Sequence, residues 1–124
     1  MKLTLKTEKL KEMVSRAVKG AGNNKLIPIT SLMAIELENG TLSIITTDAT
    51  NYLYVKEEHV VGQDFWVTVP VDVFSKLVAR MTCENITLDL NTELGVLSIK
   101  GNGNYKIELP LDEDGNLIKY PDPL

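Results

Sequence analysis

Leu3-Thr4-Leu5-Lys6-Thr7-Glu8-Lys9-Leu10-Lys11-Glu12-Met13-Val14-Ser15-Arg16-Ala17-Val18 returns 64 residues later as Val67-Thr68-Val69-Pro70-Val71-Asp72-Val73-Phe74-Ser75-Lys76-Leu77-Val78-Ala79-Arg80-Met81, one residue shorter. Leu3, Thr4, Leu5, Glu8, Leu10, Met13, Val14 and Arg16 each meet a residue of the same character, so the chain reads as an internal repeat. Each copy opens with apolar and polar residues in alternation, the period of a half-buried strand. It then switches to apolar residues at i, i+3, i+4 and i+7, the period of an amphipathic helix. Both copies predict a strand that feeds a helix.

The first strand is expected at 2–6, with Thr7 as helix N-cap and Glu8 complementing the dipole in the first turn. Leu10, Met13, Val14, Ala17 and Val18 share one face of this helix, which runs to about Lys19, with Lys9 and Arg16 on one flank. Gly20 and Gly22 stop it. Asn23, Asn24 and Lys25 make a polar loop, and Leu26-Ile27-Pro28-Ile29 reads as an extended connector, because Pro28 forbids helix and disfavours a central strand.

Leu32 to Glu38 and Thr41 to Thr47 flank Asn39-Gly40, a strong two-residue hairpin signal. A small-residue turn at 47–51 leads to a third alternating run, Tyr52 to Lys56. Gly62-Gln63-Asp64 turns the chain into the second unit, with a strand at 65–69 and a helix at 72–81 whose core stripe is Phe74, Leu77, Val78 and Met81. A second meander follows at 86–90, 96–100 and 105–109. Ala34-Ile35-Glu36-Leu37 parallels Thr87-Leu88-Asp89-Leu90, and Thr41-Leu42-Ser43-Ile44 parallels Val96-Leu97-Ser98-Ile99. Each half therefore has the order β-α-β-β-β, and the fold class is α+β. The first half carries about ten extra residues between Gly20 and Ser31, since the offset falls from 64 at the helices to 53 or 55 at the strands.

With 124 residues the chain is expected to be one domain over 1–112, made of pseudo-repeats at about 1–61 and 62–112. Residues 113–124, acidic and Pro-bearing, read as an exit linker. Cys83 is the single cysteine, so no internal disulfide forms, and one His beside one Cys matches no metal-site spacing. With apolar runs short and no signal peptide, the expectation is a cytoplasmic protein with no membrane contact.

The net charge of −4 hides an asymmetry. Residues 7–25 and 70–82 together carry +4, from Lys9, Lys11, Arg16, Lys19, Lys25, Lys76 and Arg80 against Glu8, Glu12 and Asp72, and the remainder sums to −8. An acidic body with basic helices offers a local field for a polyanion; Lys-rich helix surfaces serving only solubility are the plain alternative.

An enzyme needs a reacting group with a partner. His59, the single histidine, sits at a strand end beside Glu57 and Glu58, and no nucleophile motif accompanies it. Gly101-Asn102-Gly103-Asn104 has no helix after it to complete a phosphate site, so it reads as a hairpin turn. Cys83 reads as a half-buried apolar residue and Trp66 as packing. The chain is expected to be non-catalytic, with no cofactor.

The two β-α-β-β-β halves resemble the first domain of the bacterial DNA polymerase III β subunit, the replicative sliding clamp. The shared strings are Met1-Lys2-Leu3-Thr4, Ile27-Pro28-Ile29, Thr47-Asp48, Val69-Pro70 and Tyr120-Pro121. The resemblance implies the DNA clamp fold, with three such domains per full chain and two chains closing into a ring. In that ring the helices face double-stranded DNA and the sheets form the outer wall. It implies Lys9, Arg16, Lys19, Lys25, Lys76 and Arg80 as DNA-contacting residues, with no sequence read. It also implies partner clamp domains joined through sheet edges such as 52–56 and 105–109, and a clamp loader and DNA polymerase engaged only by a longer chain. Family members usually carry basic residues after the proline that opens the second helix, where this chain has Val71, Asp72 and Val73. They commonly carry a basic residue in the loop where Asn23 and Asn24 stand, so contacts at both places are expected to be weaker. A short clamp-like assembly or regulatory module that does not encircle DNA is the competing reading.

Overall fold

Strand β1 (Lys2–Lys6) runs straight into helix α1 (Thr7–Val18), and β6 (Phe65–Pro70) runs as directly into α2 (Val71–Ala79). Each is followed by a meander: β2 (Leu32–Glu38), β3 (Thr41–Thr47) and β4 (Tyr52–Glu57) after α1, and β7 (Asn85–Asn91), β8 (Val96–Lys100) and β9 (Asn104–Glu108) after α2. A two-residue strand, β5 (Val61–Gly62), lies between the units. The computed structural model describes residues 1–20, 32–48, 51–111 and 114–117. The Asn23-Asn24-Lys25 loop, the Leu26–Ile29 connector and most of the exit segment lie outside the described residues.

Two antiparallel sheets form, ordered β5-β1-β7-β8-β9 and β4-β3-β2-β6. The units exchange their first strands, β1 joining the second meander and β6 the first. The exchange keeps the repeat's register, because Leu3 opposes Leu88 just as Val67 opposes Ile35. The alternating residues of both sheets and the apolar stripes of both helices meet in one core, including Leu3, Ile35, Leu88, Leu10, Val14, Phe74 and Val78. Leu32, Ala34 and Ile45 form a small separate cluster with Tyr52. Helix α1 packs on β1, β3, β4 and α2, and α2 packs on β6 and β9.

Asn39 and Gly40 adopt left-handed φ values of 50° and 83°, as a two-residue hairpin turn between paired Glu38 and Thr41 requires. The turn is tied down by the Asn39 N–H, which donates to Asp64 Oδ1 at 3.0 Å. At the other hairpin the Gly101 N–H donates to the Gly103 carbonyl at 2.9 Å, and Asn102 Oδ1 accepts from the Thr82 N–H at 3.0 Å.

Three expectations are corrected. Thr7 is the first helical residue rather than the N-cap. The cap position falls on Lys6 without a side-chain bond, the Thr7 N–H donates to the Glu84 carbonyl at 3.0 Å, and its hydroxyl turns inward to Cys83 Sγ at 3.4 Å. A strand entering a helix with no intervening loop leaves a neighbouring backbone, not a side chain, to satisfy the free N–H. The second helix spans Val71–Ala79 instead of 72–81, yet Met81 beyond it remains fully buried. Gly62, expected to open a turn at Gly62-Gln63-Asp64, instead ends the two-residue strand Val61–Gly62 on β1. Gly62 allows this close pairing, since a Cβ there would meet Lys2 O at 2.6 Å and Leu3 Cα at 2.7 Å.

The C-terminus of α1 rests on the four-stranded sheet. Thr46, fully buried on β3, donates from Oγ1 to the Ala17 carbonyl at 2.6 Å. Replacing Thr46 by Val keeps the shape and removes this bond, which lowers stability by about 1 to 2 kcal/mol. The change is read as an earlier urea midpoint with an unaltered slope; an unchanged midpoint would show the bond to be neutral.

Candidate nucleic-acid interface

The helices present three surfaces beyond the one buried in the core. On one flank of α1, Lys9 pairs with Glu57 of β4 and Arg16 pairs with Glu12 one turn back on the same helix. Both pairs are exposed, where such interactions contribute less than about 1 kcal/mol, but they offset the positive charge on this flank. Lys56 lies nearby with its Nζ 5.7 Å from the Tyr54 ring centre.

Lys19 follows the last turn of α1 and Arg80 the last turn of α2, both exposed. A cation at a helix C-terminus also complements the dipole, as Glu8 and Asp72 do in the first turns, so part of this charge serves the helices themselves. Between the helices runs a groove of about 510 Å³. Lys11, Val14, Ser15 and Val18 of α1 form one wall, and Ser75, Lys76, Val78 and Ala79 of α2 form the other.

The structure thus separates the sequence candidates. Lys9 and Arg16 share a flank and hold acidic partners, Lys76 stands at the groove, Lys19 and Arg80 stand at the helix ends, and Lys25 lies outside the described residues. Among the described residues no ion pair engages Lys11, Lys19, Lys76 or Arg80. Lys11 contributed to the charge asymmetry in sequence but was not among the contact candidates. Its spacing of three and seven residues from Val14 and Val18 could have placed it beside the apolar stripe. The Glu12–Arg16 pair was equally readable as an i, i+4 spacing, whereas the Lys9–Glu57 pair exists only through packing of α1 against β4.

Among the described residues no group of three His, Cys, Asp or Glu side chains could hold a metal ion, and no helix is long and apolar enough to cross a membrane. His59 is exposed and follows β4 with φ 61°.

A comparison with curated proteins finds no match. Among solved structures, the DNA polymerase sliding clamp from Bacillus subtilis superposes with a TM-score of 0.84 at 20% identity, over 100% of this chain and 33% of that one. The DNA polymerase III beta subunit from Thermotoga maritima gives a TM-score of 0.80 at 24% identity, over 99% of this chain and 32% of that one. At such identities the likeness is one of fold, and the chain spans about a third of the length of these proteins. A family profile, DNA polymerase III beta subunit, N-terminal domain, matches residues 1–116. With that match covering both helices and both sheets, the chain belongs to the family of the DNA polymerase III beta subunit N-terminal domain, an α+β clamp domain.

Proposed function

We propose that the chain is a sliding-clamp domain: a non-catalytic processivity element that helps hold a replicative polymerase on double-stranded DNA by being part of a ring. The observation that carries this reading is the family match over residues 1–116. On this reading residues 1–112 are one clamp domain of two pseudo-repeats, at about 1–61 and 62–112, and 113–124 lead out of it. The helices face DNA and the sheets face outward. The phosphate-contacting residues are Lys9, Arg16, Lys19, Lys25, Lys76 and Arg80, with Lys9 and Arg16 weakened by their acidic partners. Neighbouring clamp domains join at sheet edges, for which β4 and β9 qualify, since among the described residues each pairs on one side only. The clamp loader and polymerase act on a longer chain, in the cytoplasm.

The ring holds by topology, so one domain binds DNA weakly and without regard to sequence. The expected result is duplex binding at low salt that is equal for unrelated sequences and disappears at moderate salt. Light scattering in the same conditions reads assembly. Retention on circular DNA that is lost on linearisation identifies a closed ring of single domains, whereas a monomer with weak binding identifies one segment of a larger ring. Absence of any duplex binding at low salt would remove the basis for helices facing DNA.

A further inference from the structure

We infer that the outer face of the five-stranded sheet is a docking surface for an acidic, extended segment of a partner protein. This face looks away from the helices, so its occupant leaves α1 and α2 uncovered. Alternation decides which side chains stand there. Leu3, Leu5, Leu88 and Ile99 turn into the core, so Lys2, Thr4, Lys6, Asp89 and Lys100 turn out. Register then sets them in rows. Lys2 opposes Asp89, Asp89 opposes Ser98, and Ser98 opposes Lys106. In the next row Thr4 opposes Thr87, and Thr87 opposes Lys100. The result is a flat centre of small hydroxyl side chains, with Thr4 and Thr87 bonded to each other at 3.0 Å, edged by lysines.

The charge of this face runs against that of the body around it. Outside residues 7–25 and 70–82 the chain has six lysines against fourteen acids, and four of the six, Lys2, Lys6, Lys100 and Lys106, stand here. With the Met1 ammonium beside Asp89 they make five cations against two acids, Asp89 and Glu108, a surplus of three. Asp89 is shared by three of the five, at 3.8 Å from the Met1 ammonium, 4.0 Å from Lys2 and 3.2 Å from Lys100. One carboxylate cannot neutralise three cations. Among the described residues no ion pair engages Lys6 or Lys106. Carboxylates of a partner complement this surplus and set the sign of what is attracted.

The chemistry of the face favours a protein segment over a nucleic acid. Both arginines, Arg16 and Arg80, belong to the helices, so the face offers phosphates no bidentate fork. Among the described residues it carries no aromatic ring, which leaves bases nothing to stack on. Asp89 at its centre also repels an unbroken run of phosphates, whereas carboxylates spaced along a peptide can pass to either side of it. Val61, 75% exposed and opposite Thr4 on the same face, gives an apolar side chain of the partner a contact beside the lysines. An extended segment fits the pleat because its own side chains repeat on one face about every 6.6 Å, the spacing of outward residues along β1.

The test titrates the full, isotope-labelled 124-residue chain with a fluorescent peptide of alternating Glu and Thr, and with its Gln-for-Glu counterpart, at low salt. The Glu peptide is expected to bind and the Gln peptide not to, with amide shifts at Thr4, Thr87 and Ser98 and none along α1 or α2. Lys6→Gln and Lys106→Gln should each weaken binding by about two- to fivefold, the effect of one exposed ion pair, and the double variant by about the product. Lys56→Gln, exposed on the other sheet, serves as the control and changes nothing. Circular dichroism confirms folding of each variant. No binding of the Glu peptide, equal binding of the two peptides, shifts confined to the helices, or full affinity in both Gln variants would each overturn the docking surface while leaving the clamp reading intact. A single-stranded or duplex oligonucleotide that displaces the peptide and shifts the same sheet residues would assign the face to nucleic acid, and the proposal would fail.

Discussion

Phe74→Ala is expected to cost about 3 to 5 kcal/mol, against about 5 to 15 kcal/mol for the whole stability of a domain of this class. Phe74 is fully buried on α2, in the one core shared by both helices and both sheets. Truncation loses the transfer free energy of the ring and leaves a cavity in a core that both helices and both sheets share, which relaxes only in part. The melting temperature should fall by about 10 to 20 °C. Val73, next to it and 46% exposed, supplies the contrast: Val73→Ala stays within about 0.5 kcal/mol of the parent. Equal effects at the two positions would mean that α2 does not seat on the core through Phe74, and that its docking against β6 and β9 is wrong.

The same stripe shows what the sequence made legible. Phe74, Leu77, Val78 and Met81 were readable as a core face because a helix returns every 3.6 residues. Leu3, Leu5, Leu88 and Ile35 were readable because a strand returns every two. Asn39-Gly40 fixed its hairpin through the left-handed φ values that few residues accept. Which strands share a sheet was not readable. Periodicity reports the face a residue takes and is silent on its neighbour, so the pairing of Leu3 with Leu88 across the molecule left no local mark. Gly62 was read as the start of a turn at Gly62-Gln63-Asp64 because the two-residue strand Val61–Gly62 is too short to show alternation, and its pairing depends on the absence of a Cβ at Gly62 against Lys2 and Leu3.

The candidate interface divides along the same line. That Lys9 and Arg16 share a flank of α1 followed from the wheel, and so could the Glu12–Arg16 pair have done. The ion pair of Lys9 with Glu57 and the groove that Lys11 and Lys76 both line depend on how α1 lies against β4 and α2. Sequence supplied the sign and rough location of the charge; packing decided which cations stay available.

Cutting the chain between Gln63 and Asp64 is expected to abolish cooperative folding of either piece as a monomer, although each carries a whole β-α-β-β-β unit. In residues 1–63, β1 would keep only two-residue β5 as a partner, since its long pairing, Lys2 to Lys6 against Asp89 to Asn85, is with the other piece. In residues 64–124, β6 would lose β2, its one strand neighbour among the described residues. Each piece would also open half of the shared core, at a length where even an intact domain buries only about 60% of its unfolded surface. Each piece alone should therefore show no cooperative melt as a monomer, and mixing the two should restore one transition together with the mass of the 1:1 complex. The repeat adds a second permitted outcome. Because Leu3–Leu88 and Val67–Ile35 are equivalent pairings, two copies of one piece can exchange first strands with each other, and a folded homodimer would obey the same rule. A folded, cooperatively melting monomer of either piece would sink the argument, since it would show that a unit can close its sheet without the strand that the structure takes from its neighbour.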